Sequence, residues 1–319
     1  MSTDFQISYT LDVLLYIGCM VDEEKNSLYD EDVNRFMPML GTISDKYLEK
    51  LKKIHQGTPE FINYIVSMLI VNDHLHDWKT ADLLDRHKRL VAMLKKSEQF
   101  EHISSDFKKF IKGDFSRSMT LIKTIASDLE RLGFKKFWLE EKLPLLKERT
   151  TQYQRVLSEF EIASYINGWA VDKKIPVDSP WFMLAYSGDQ YQVFLREFGI
   201  VSLMISDDQL FSKMVSYALK VAYYKKYCKV LKPEADLKSE FKAHALYKKA
   251  FKKIFVYADT CLKMALKVYL MEGCGKGGLE LSEEYPFSTE ILMYLRENKK
   301  SEDVAAGVYI MDMMNKFSR

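Results

Sequence analysis

The sequence predicts a mainly α protein, α+β in detail: a helical bundle with a small central sheet near residues 180–206. Three observations carry this expectation. Helix breakers are scarce, with 13 glycines and 7 prolines in 319 residues. Apolar residues recur every three or four positions over most of the chain. Only residues 175–206 lose that period and show short apolar runs bounded by turn residues. With 47% hydrophobic and 29% charged residues, the chain is neither disordered nor of low complexity.

Each element follows from its own residues. Leu11, Leu14, Leu15 and Gly18 share one face of a first helix. Residues 29–39 form a second, with Asp30, Glu31 and Asp32 at the end where the helix dipole favours acids. Residues 45–54 are a short amphipathic segment. Thr58-Pro59-Glu60 is an N-cap followed by proline at the first helical position. It opens a nearly all-apolar helix from Phe61 to about Asp77, expected at the centre of the core. Residues 81–96 and 119–132 repeat the helical period, the second ending at Gly133 as a helix-terminating glycine. A helix over 137–166 is interrupted by Pro144. Two prolines, Pro176 and Pro180, precede three short apolar runs around 181–186, 191–195 and 198–205, which read as the sheet. Helices are expected again over 209–231, 237–271 and 289–297, with a closing segment at 303–317. The organisation expected is a helical N-terminal region, 1–140, and a helix and small-sheet C-terminal region, 141–319, packed as one unit with the first.

Charge and cysteine usage bound the function classes. Lys+Arg 47 against Asp+Glu 45 gives +2, so bulk charge selects no partner. Residues 1–50 carry 10 acids and 4 bases, net −6. Residues 220–267 carry 13 lysines and 4 acids, net +9. Cys19, Cys228, Cys261 and Cys274 lie 209, 33 and 13 residues apart, with no CxxC pair. The start MSTDFQISYT has no basic region, and the apolar run Leu11–Val21 is too short to span a bilayer. The expectation is a cytoplasmic protein with reduced thiols, no membrane segment and no cofactor.

The motif survey excludes several chemistries. Gly273-Cys274-Gly275-Lys276-Gly277-Gly278 matches GxGxxG by letter, but a helix rather than a strand precedes it, so it reads as a helix C-terminal loop. Asp73, His76 and Asp77 share one helical face, with His74 turned away, and no further ligand is indicated, so a polar helix end is the reading and no metal is expected. No HExxH, EF-hand, GxSxG or Cys/His zinc spacing occurs. Lysines interleave with Tyr223, Tyr224, Tyr227, Phe241, Tyr247, Phe251, Phe255 and Tyr257. Lysine with aromatics can bind nucleic acid, yet the aromatics repeat at core spacing and the segment has no arginine, so nucleic acid is the disfavoured partner.

One arrangement goes further. The order FGIVSLMISDD, a helix over 209–231, a linker and a long helix to Met271 resembles the core of zincin-type metallopeptidases. In that family an edge strand leads to a helix bearing HExxH, and a later helix supplies an acidic third ligand. The resemblance covers about residues 150–275 and rests on order and apolar pattern. It places HExxH on Ser216-Tyr217-Ala218-Leu219-Lys220 and the third ligand near Asp259. Both histidines and the glutamate are absent there, so it implies the fold without the peptidase activity. The expected function is therefore a non-catalytic binding or regulatory protein on a zincin-like scaffold, with a protein or peptide partner and a site near Ser216, Tyr217, Lys220 and Asp259. A hydrolase with a dispersed active site and a nucleic-acid-binding module using 220–267 are the alternatives.

Overall fold

A computed structural model describes residues 5–22, 30–70, 105–158, 162–169, 182–185, 199–202, 206–223, 228, 235–243, 253–276, 281 and 285–317. Most of these are helical. By its contacts the chain divides into two compact units. One holds residues 2–155 and 180–205, the other 156–179 and 206–319. Among the described residues no helix is long and apolar enough to cross a membrane.

In the first unit, helix α1 (Tyr9–Val21) starts at Ser8, whose hydroxyl accepts the Leu11 N–H at 3.3 Å. Thr10 through Val21 are all buried, so the helix is enclosed on every side rather than on the one face its leucines mark. The central position expected for the Phe61 helix is therefore shared with α1. Around it stand α2 (Asp30–Phe36), α3 (Thr42–Gly57) and α4 (Phe61–Ile70), then α5 (Ser105–Gly113), α6 (Phe115–Arg131) and α7 (Phe134–Phe137). Helices α3 and α6 pack on α1 and on each other. Gly133 takes φ +90°, the left-handed value a helix-ending glycine supplies, directly after α6. Residues 71–104, including the expected helix 81–96, lie outside the described residues.

The expected helix 137–166 is not continuous. Residues Trp138–Lys142 make a π turn, followed by α8 (Leu143–Ser158). Pro144 has no N–H for the carbonyl four residues back, and its ring would clash with that carbonyl. The wider π turn takes up the conflict. It also turns Trp138 inward, where the indole N–H donates to the Asp12 carboxylate at 2.7 Å.

The small central sheet expected near 180–206 is not supported as a layer of the fold. The described core is helical. Among the described residues the strands are β1 (Phe5–Ile7), β2 (Phe182–Ala185) and β3 (Gly199–Ser202). They pair in parallel in that order, Phe5 opposite Phe182 and Phe182 opposite Gly199. These segments are short even for strands. One of them comes from the start of the chain, which a local reading of 180–206 cannot see.

The second unit contains α9 (Ile162–Gly168), α10 (Asp207–Ala222), α11 (Ala235–Ala243), α12 (Ile254–Gly273), α13 (Pro286–Glu297) and α14 (Ala306–Lys316). Helix α12 packs on α10, α11 and α13. It ends on a reciprocal cap: the Lys276 N–H reaches the Met271 carbonyl at 3.0 Å and the Gly275 N–H the Glu272 carbonyl at 2.9 Å, with Gly275 at φ +68°. The glycine-rich letters after α12 thus begin by closing a helix, as the sequence reading expected.

Two expected helices here are shorter than their apolar patterns. The helix read as 209–231 stops at Ala222 because Tyr223 leaves helical geometry and buries its ring. The helix read as 237–271 is two pieces, since α12 starts afresh after an extended Lys253. A straight helix would hold Phe241 and Tyr257 about 24 Å apart. Their ring centroids lie 5.9 Å apart instead, because α11 folds back on the start of α12.

Candidate functional site

Helix α10 is nucleated by a reciprocal cap. The Ser206 hydroxyl accepts the Gln209 N–H at 3.2 Å, and the Gln209 side chain accepts the Ser206 N–H at 2.9 Å. Leu210, Phe211, Met214, Val215, Leu219 and Ala222 are buried along it. Ser216 is half-buried, and its hydroxyl donates to the Ser212 carbonyl of the same helix at 2.9 Å. Tyr217 and Lys220 sit on α10, their side chains outside the described set. By helical spacing Ser216 and Lys220 fall on one face of α10.

Asp259 belongs to α12 and is 4% exposed. Its Oδ1 accepts the Cys228 backbone N–H at 3.2 Å and the Tyr223 hydroxyl at a long 3.4 Å. Lys263, one turn further along α12, lies 5.1 Å from the centroid of the Tyr223 ring. Burial and the neighbouring Asp259 charge push the Cys228 thiol far up, so it is held protonated. Burial also pushes the Cys261 thiol up to about 12. Neither thiol is set up as a nucleophile, which needs a thiolate.

These contacts bring Asp259 to the end of α10 rather than to its middle. Tyr223 follows Ser216 by seven residues, about 10 Å along the axis. Ser216, Tyr217 and Lys220, onto which the resemblance would place the zinc-binding motif, do not make a zinc donor set with Asp259. Ser216 is engaged with its own helix, Leu219 is a buried hydrophobe, Lys220 is a cation, and the carboxylate of Asp259 is engaged with Tyr223 and Cys228. Among the described residues no group of three His, Cys, Asp or Glu side chains could hold a metal ion. Asp73, His74, His76 and Asp77 lie outside the described residues.

Sequence reasoning named Asp259 but missed Tyr223, Cys228 and Lys263. The Asp259–Lys263 spacing, i to i+4, was visible; the approach of Cys228, 31 residues away, was not. It also missed Glu240, which ties three helices together. Glu240 accepts from the Tyr257 hydroxyl and, at 3.4 Å, from the Phe287 N–H in the first turn of α13. Burial, then Glu240, raises the Tyr257 phenol well above its ordinary range.

A separate cleft of about 550 Å³ lies in the first unit, lined by Gly41 to Ser44 at the start of α3 and by Thr124, Ser127, Asp128 and Arg131 of α6. The Gly41 N–H donates to Asp128 Oδ2 at 2.7 Å, and Arg131 holds Oδ1 through Nε at 2.9 Å and Nη2 at 2.7 Å. Burial alone would raise the Asp128 carboxyl. The Gly41, Arg131 and Ser44 hydrogen bonds outweigh it and hold the carboxyl below the usual carboxylate range. Chemically this is a helix cap supplied by a neighbouring helix.

No family model, no curated protein and no solved structure matches the chain.

Proposed function

We propose that the protein acts by binding a protein or peptide partner, without metal-dependent catalysis, on a scaffold that resembles a zincin peptidase whose metal site has been lost. One observation carries the reading. Asp259, the counterpart of the third zinc ligand, is buried and engaged with Tyr223 and the Cys228 N–H. Through Oδ1 that carboxylate anchors the end of α10. Hydrolysis on zinc also needs a base beside the metal-bound water, and the motif positions offer serine, tyrosine and lysine. The proposed binding surface is the stretch of α10 that carries Ser216, Tyr217 and Lys220, with Asp259 fixing the helix that presents them.

The test has two arms on the full chain. In the first, zinc is titrated into protein purified without chelator, with a thermal melt at each point. The expected result is no stoichiometric binding and no rise in Tm. A tightly bound ion at 100 times its Kd would add about 2.7 kcal/mol, so one equivalent of zinc that stabilises the fold and is lost in Asp259→Ala overturns the proposal. In the second arm, peptides are selected from a random display library and the best binder is mapped by hydrogen exchange. Protection over 206–223 is expected; a binder that protects only other segments sinks the assignment of the surface.

A further inference from the structure

We draw no further inference here: the strongest candidate, the cleft of about 550 Å³ where the first turn of α3 meets Ser127, Asp128 and Arg131 of α6, rests on a helix N-terminus whose Gly41 amide the Asp128 carboxylate already takes, and nothing in the structure shows what covers it.

Discussion

Among the described residues each unit buries one aspartate in a mainly apolar helix, and the two are held differently. Asp12 of α1 is fully buried and receives the Trp138 indole N–H at 2.7 Å from 126 residues away. Asp259 of α12 is 4% exposed and receives a backbone N–H at 3.2 Å and a phenol at 3.4 Å, from 31 and 36 residues away. A buried carboxylate without donors costs several kcal/mol, so both positions demand partners. In the first unit a large aromatic side chain meets the demand and fills core volume as well. In the second, chain that has just left a helix meets it. The first arrangement ties its donor into the core; the second fixes where α10 ends.

Substitutions sharpen this contrast. The largest effect is expected from Phe134→Ala. Phe134 is fully buried, with ring centroids of Tyr16, Phe36, Phe137 and Tyr9 4.6, 5.2, 5.7 and 6.3 Å away. Loss of such a ring costs about 3–5 kcal/mol, read as a lower urea midpoint at unchanged slope. Next comes Trp138→Phe, which keeps most of the apolar volume but removes a short hydrogen bond to a buried carboxylate, for about 1.5–3 kcal/mol. If it proves neutral, Asp12 is not the anchor described.

Gly275→Ala places a Cβ on a left-handed residue and is expected to cost about 1 kcal/mol. Tyr223→Phe removes a hydrogen bond of 3.4 Å, at the long end of the range, so about 0.5 kcal/mol is expected by the same denaturation. A loss as large as that of Trp138→Phe would erase the difference between the two aspartates.

The smallest effect lies on the acid limb. The Asp128 carboxyl is lowered in the fold, so its contribution is present above its unfolded pKa of about 3.9 and is lost as pH falls through the lower folded value. Melts of Asp128→Asn against the parent chain are therefore expected to differ most at neutral pH and to converge in strong acid. A gap that stays constant down to the acid limit would remove the carboxylate from the account.

Particular elements show how far the sequence could be read. Gly133 was legible as a helix end, because a left-handed residue after an apolar period is a local requirement, whereas the sequence put the end of α12 at Gly273 and the left-handed residue there is Gly275. The disturbance ahead of Pro144 was legible too, since a missing N–H is a property of the residue itself. The π turn that absorbs it was not, because its register depends on Trp138 reaching Asp12. Asp259 was named only because the zincin resemblance places a third ligand near it, and Tyr223, Cys228 and Glu240 carried no spacing that pointed to it or to Tyr257. The apolar period ran on past Ala222 and through Lys253, where α12 starts afresh, so it overstated both helices. Periodicity marks residues that will be buried and does not say where the chain turns.

The sequence by itself determined the helical class, the apolar faces and the glycine that ends α6, because these depend on dihedral preferences and on hydrogen bonds between near neighbours. It also determined that no HExxH stands on α10, where the chain carries Ser216, Tyr217 and Lys220. Only the tertiary structure decided that α1 is enclosed on all sides, that the strand at Phe5–Ile7 pairs with Phe182–Ala185, and that Asp259 meets Tyr223 and Cys228. Those pairings join residues tens to more than a hundred positions apart. Burial selects among the many partners a carboxylate or a strand edge would accept, and burial is a property of the assembled core.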